Sequence, residues 1–143
     1  MPRTLEEIKQ EVWGHFRPSQ EVFLATAEVE QPRVRPVMLV NHDEKFWIAT
    51  GTRSQKARQI RQNPNVEFCL PVLDGDLRGY IRVAGIADRV RDAVARRAIG
   101  ERFALFDQYW SGPDDPDYTL LRITRVEVEY LAPGGSDAVT FIV

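Results

Sequence analysis

Apolar residues along the chain follow two periods, and each switch between them marks an element. Leu5, Ile8, Val12, Trp13 and Phe16 recur at helical spacing, which predicts an amphipathic helix over residues 4–16. Thr4 and Glu7 have the spacing of a capping box at its start, and Pro18 stops it. The pattern then turns extended. Residues 22–28, 33–40, 46–50, 66–73, 77–90 and 118–131 read as strands, and residues 138–143 as a short further one. Asn41-His42-Asp43-Glu44 and Asp74-Gly75-Asp76 carry turn chemistry, so the strands around them read as antiparallel hairpins. Gly51 breaks one strand, and a short basic helix follows from about Ser54 to Gln62, closed by Asn63-Pro64. Asp92 caps a third helix expected over residues 93–106, with Ala95, Ile99, Phe103 and Phe106 on one face, and residues 107–117 form a loop. About six strands with three helices predict a mainly-β fold with flanking helices, built as a closed or partly closed antiparallel barrel. A doubly wound parallel sheet fits poorly, because strands and helices do not alternate.

Composition narrows the class. The 143 residues suit one domain, 1–143, and a chain of this length buries roughly 68–70% of its unfolded surface without disulfides or metal. Cys69 is the one cysteine and lies in the apolar run Phe68-Cys69-Leu70, which reads as an inert core position. The first residues are charged and lack an apolar leader, and no apolar run nears the ~18 residues of a membrane span, so the expected location is cytoplasmic, with no membrane partner. His15 and His42 have no Cys or Glu partners at metal-ligand spacing, so no metal is expected, and no Ser–His–Asp arrangement is legible. Asp114, Asp115 and Asp117 read as a solvated loop.

Charge locates the candidate chemistry. Net charge is −2, yet from Arg33 to Arg61 seven basic residues face two acidic ones, a local +5 that leaves −7 elsewhere. Arg33 and Arg35 lie two apart in a strand and share a face. The hairpin brings them beside residues 46–50, and the helix opening near Ser54 presents unpaired N–H groups with partial positive charge. Arginine, Ser54, Lys56 and a helix N-terminus therefore converge on a point suited to a phosphomonoester, which carries about −1.5 to −2 charge. Charge and spacing alone leave a second reading open, in which these side chains are the solvated faces of a strand and a helix. No GxGxxG or GxxxxGK[ST] loop is present. Nucleic-acid binding is not expected, since aromatics do not interleave with the basic residues.

At these residues the chain resembles the pyridoxamine 5′-phosphate oxidase-like family of FMN-binding split barrels, in its general stress protein branch. The resemblance is carried by Arg35-Pro36-Val37-Met38-Leu39, by Ala49-Thr50-Gly51-Thr52-Arg53-Ser54-Gln55-Lys56 with Gln59-Ile60, and by Asn63-Pro64-Asn65-Val66. It implies an antiparallel split β-barrel that binds FMN. Arg35 and Lys56 would hold the phosphate with Ser54 donating a hydrogen bond. Val37, Met38 and Thr50 would line the ring system and ribityl chain. Gln55 stands where the oxidases carry an arginine, for which Arg33 or Arg53 would substitute, and Tyr80 stands where they place a glutamine. The family resemblance also implies a homodimer with the flavin at the interface and Trp110 as a partner-subunit contact. The oxidases end in Arg-Leu-x-Pro; this chain has Tyr130-Leu131-Ala132-Pro133, so their own reaction is disfavoured. The expected function is a flavin-dependent oxidoreductase acting on a small substrate. The alternatives are a flavin-binding stress or sensor module without turnover, and a barrel holding deazaflavin or haem.

Overall fold

Alternation of inward apolar and outward polar residues builds a sheet that closes on itself. The computed structural model describes residues 3–143. Its elements are α1 (Leu5–His15), β1 (Ser19–Glu28), β2 (Gln31–His42), β3 (Lys45–Gly51), α2 (Gln55–Gln62), β4 (Asn65–Asp74), β5 (Leu77–Val90), α3 (Ala93–Gly100), α4 (Phe106–Tyr109), β6 (Tyr118–Leu131) and β7 (Val139–Ile142). Strand order is β3-β2-β1-β4-β5-β6-β7, all neighbours antiparallel, and β3 also pairs with β6. That last pairing closes six strands into a barrel and leaves β7 on its rim. The expected mainly-β antiparallel barrel is therefore the observed fold.

Two apolar layers result. Inside the barrel, Val22, Leu24, Leu39, Phe46, Ile48, Phe68, Ile81 and Val83 are almost completely buried. Phe46 is the hub, with ring centroids 5.2 Å from Trp13, 4.9 Å from Phe16 and 5.2 Å from Phe68. Through Trp13 and Phe16, α1 docks on this core, and Tyr130 Oη donates to Glu11 Oε2 at 2.6 Å from the barrel side. Outside the barrel, Val40, Trp47, Tyr118 and Leu120 pack against Ile99 of α3, Phe103 and Phe106.

Three expectations need correction. The single helix over residues 93–106 is two: α3 ends at Gly100, turns follow, and α4 begins at Phe106. A Cβ at Gly100 would lie 3.1 Å from the Phe106 ring and 3.2 Å from Tyr118 Oη, so a larger residue there would have to push these two rings aside by a few tenths of an ångström. The break lets Phe103 and Phe106 both turn inward, which a straight helix also achieves at three-residue spacing but without the sharp return of the chain. Cys69 is not a core residue. Its β4 neighbours Phe68 and Leu70 point inward, so it faces outward, half-buried opposite Arg82. The short further strand expected at residues 138–143 is present as β7, paired with β6, and brings the strands to seven among the described residues. Asp115 is not simply solvated: its carboxylate accepts from the amides of Ser111 and Asp117, fixing the loop after α4.

Replacing the hub tests this account of the core. Phe46→Ala should lower unfolding free energy by about 3–5 kcal/mol through lost burial and a residual cavity. Equilibrium urea denaturation measures it, and a loss under about 1 kcal/mol would place the packing centre elsewhere.

Candidate functional site

β2 turns Pro36 and Met38 outward, β3 turns Ala49 the same way, and the segment Phe103–Trp110 stands over them. Between these walls lies a cleft of about 250 Å³ lined by Pro36, Val37, Met38, Ala49, Lys56, Phe103, Leu105, Phe106, Tyr109 and Trp110. Its wall is apolar except at one end, where Lys56 enters from the first turn of α2. Ser54 starts that helix: its Oγ accepts from Ala57 N at 3.2 Å and lies 2.9 Å from Thr50 Oγ1. Helix geometry leaves the amides of Gln55 and Lys56 without intrahelical acceptors.

The electrostatics of that end are unusual. Lys56 is more than half buried, and burial, then the charge of Arg35, hold its pKa below the ordinary lysine value. Burial, then Arg33, likewise lower that of Arg35. Among the described residues Lys56 has neither an ion pair nor a side-chain hydrogen bond, and Arg35 bonds only neutral oxygens. Arg35 donates to Leu24 O at 3.2 Å and to Gln59 Oε1 at 2.7 Å. Two cations that repel one another are thus held together with no carboxylate between them. Such an arrangement is unfavourable by itself and favourable around an anion.

The structure sorts the sequence candidates as follows. Val37, Met38, Lys56 and Trp110 line the cleft. Arg35, Ser54 and Gln55 stand at its cationic end, Ser54 as the helix cap and Gln55 exposed. Thr50 turns into the barrel and is only 2% exposed, so its side chain does not reach the cleft. Arg33 is drawn to Glu28, 3.5 Å away. Tyr80 lies on β5, three strands from β2 either way round the barrel, outside the cleft lining, with its hydroxyl donating to Glu129 at 2.8 Å. Trp110 is anchored within its own chain, Nε1 donating to Asp117 O at 3.0 Å and the ring against Phe106 and Tyr118. Tyr130 is 2% exposed inside the barrel, with His15 Nε2 3.2 Å from its hydroxyl, so it takes no part in the cleft. Among the described residues no group of His, Cys, Asp and Glu could hold a metal ion.

Sequence reasoning missed Leu105 and Tyr109 of the cleft wall, 47% and 65% exposed. Their signal was an apolar residue in a turn and an aromatic beside Trp110 in a loop. It also missed Gln59, a residue of the helix face that looked solvated and is in fact 1% exposed.

A family model described as pyridoxamine 5′-phosphate oxidase matches residues 8–132. General stress protein 26 of Bacillus subtilis (strain 168) is 25% identical over 130 residues, covering 90% of this chain and 91% of that protein. Among solved structures, General Stress Protein 26 from Bacillus anthracis str. Sterne is similar at a TM-score of 0.73 and 24% identity, over 94% of this chain and 99% of that one. A heme binding protein from Mycobacterium smegmatis is similar at a TM-score of 0.73 and 18% identity, over 87% of this chain and 53% of that one.

The uncompensated lysine makes a prediction about the ligand-free protein. Lys56→Met keeps the apolar stem and removes the charge, so it should melt at the same temperature as wild type or higher at neutral pH. The depressed pKa means the unfolded chain takes up the Lys56 proton more readily than the folded one. Any stability margin of the variant should therefore shrink as pH rises toward 10.5, the ordinary value for lysine. Thermal melts across pH measure both; a large destabilisation by Lys56→Met would mean the ammonium has a protein partner.

Proposed function

Since this chain belongs to the pyridoxamine 5′-phosphate oxidase family, whose model spans residues 8–132, we propose that it is a cytoplasmic FMN-binding protein that acts as a flavin-dependent oxidoreductase on a small substrate. The observation that carries this reading is the pair Arg35 and Lys56, two partly buried cations without a carboxylate, at one end of an apolar cleft. A ligand with a phosphate at one end and a flat apolar ring at the other matches that division of charge and surface.

The residues present fit the group. Arg35 and Lys56 would take the phosphate, with the first-turn amides of α2 and the Ser54 hydroxyl adding donors. Pro36, Val37, Met38 and the aromatic side chains of Phe106, Tyr109 and Trp110 would hold the ring system and exclude water. FMN when bound supplies hydride or electron transfer, so no dedicated acid or base is required of the chain.

The second wall would come from a second copy. The cleft, about 250 Å³, falls below the roughly 300–1,000 Å³ usual for such ligands, so one chain makes part of a site. Around it Phe23, Val34, Met38, Leu105 and Tyr109 are exposed by 43%, 71%, 42%, 47% and 65%. Phe23 pairs with Pro36 and Ala25 with Val34 across β1 and β2, so much of this apolar surface is continuous. A homodimer formed there would cover it and complete the site. Tyr130, tied inside the barrel to Glu11 and His15, argues against the pyridoxal-forming reaction, for which the corresponding arginine would face substrate. Among the described residues no helix is long and apolar enough to cross a membrane.

Lys56→Ala should weaken FMN binding by about 10–150-fold, the worth of one charge-assisted hydrogen bond of roughly 1.5–3 kcal/mol. Titration of the flavin-free protein measures it, and an unchanged dissociation constant would put the phosphate elsewhere. Affinity should also fall as pH drops below about 6, where the phosphate gains its second proton. The spectrum of the purified protein separates flavin from deazaflavin and haem, and bleaching of bound flavin by NADH or NADPH separates an oxidoreductase from a flavin-holding module.

A further inference from the structure

We infer that Gln59 is a positioning residue for the phosphate end of this site: its buried side-chain amide aims the Arg35 guanidinium at the anion while leaving the guanidinium's charge uncompensated. The inference rests on the proposed phosphate site of Arg35 and Lys56 and goes further, since Gln59 itself does not line the cleft.

Gln59 is 1% exposed on the inner face of α2. Its Oε1 accepts from Thr26 Oγ1 at 2.6 Å and from Arg35 at 2.7 Å, and its Nε2 donates to Glu28 Oε2 at 2.9 Å. Arginine is donor-only and an ionised carboxylate acceptor-only, so the amide can sit one way round: oxygen toward Arg35, nitrogen toward Glu28. Three strongly polar neighbours thus lock one side chain, and through it one end of the guanidinium. Leu24 O fixes the other end at 3.2 Å. The remaining guanidinium N–H groups have no acceptor among the described residues.

The choice of an amide matters. Glu28 is the acid of this cluster, and Arg33 and Arg58 draw it at 3.5 and 3.7 Å. Gln59 stands between it and Arg35. A carboxylate in place of the amide would orient Arg35 as well but would also neutralise it, leaving less charge for an incoming phosphate. A neutral acceptor orients without neutralising. The same helix thereby supplies Lys56 to the anion from its first turn and Gln59 to Arg35 from one turn further on.

The test compares FMN with riboflavin, which shares the ring and ribityl chain and lacks the phosphate. Dissociation constants are measured by fluorescence quenching on the flavin-free full chain. Wild type should bind FMN more tightly than riboflavin. Gln59→Met, of similar length without an acceptor, should lose about tenfold in FMN affinity with riboflavin affinity unchanged, and should cost nothing further in an Arg35→Ala background. Gln59→Glu, which keeps an acceptor and adds charge, should also weaken FMN selectively at pH 8 and provides the measurement if the methionine variant does not fold. Equal losses for both ligands, or the same loss with and without Arg35, would overturn the positioning role and leave the phosphate site standing. A wild type that does not distinguish FMN from riboflavin would instead overturn the phosphate site and the inference with it.

Discussion

Everything in this molecule depends on the pairing of β3 with β6. Six ladder positions, from Phe46 opposite Ile123 to Gly51 opposite Tyr118, turn an open sheet into a barrel. β3 is only seven residues long, so the chain leaves the barrel at Gly51 and must turn at once. Thr52 N bonds Asp117 O at 2.9 Å and Ser54 N bonds Gly51 O at 3.0 Å, which delivers the start of α2 beside β2. The outward side chains of the same closure, Trp47, Tyr118 and Leu120, carry α3 and α4. One strand pairing therefore sets both the cationic end of the cleft and its apolar roof.

The charges of this region are arranged around a deliberate omission. Arg33 and Arg58 share Glu28, and Arg61 donates to Thr52 O at 2.8 Å. Arg96 lies over the Tyr118 ring at 4.4 Å and donates to Pro113 O. Arg35 and Lys56 lie near enough to repel, are partly desolvated, and have no acid at ion-pair distance among the described residues. Burying charge without a counter-charge lowers stability, and local rules are broken in this way where a ligand is to restore the balance. The fold tolerates it because the barrel core, centred on Phe46, does not involve these residues.

Much of the architecture was legible because strands and helices differ in apolar period. Leu77–Val90 and Tyr118–Leu131 were read to their ends, as were the caps Thr4 and Asp92. What failed was what period does not encode. Phe103 and Phe106 fall at helical spacing whether or not the helix is continuous, so the break after Gly100 left no trace in the pattern. Cys69 sits in an apolar run, yet in a strand the neighbours of inward residues point outward. At the site, Lys56 was legible from charge beside a helix start, and Met38 only through the family resemblance. Gln59 was not, because a glutamine between Arg58 and Arg61 looks like the solvated face of a basic helix. Only the closing of α2 onto β1 and β2 shows that this residue faces in.

The roof of the cleft differs from its cationic end in how it is held, and that difference bears on what each could do. On its inner side the roof is fixed: Phe106 meets Tyr118 edge-on at 4.8 Å, Tyr118 Oη donates to Arg96 O at 2.9 Å, and Trp110 is tied to Asp117. On its outer side Leu105 and Tyr109 are 47% and 65% exposed, the Tyr109 ring tilted near that of Trp110 with centroids 5.6 Å apart. On the proposed reading, Arg35, Lys56 and the helix start would grip any ligand ending in a phosphate. Selection among substrates must then fall to surfaces that vary without disturbing the barrel. Residues 103–110 meet that condition. They belong to the outer layer, carry little of the inner core, and reach the open side of the cleft. On that reading binding would rest on the closed sheet, where register is rigid, and discrimination on the segment 103–110, where a change of side chain need not move a strand.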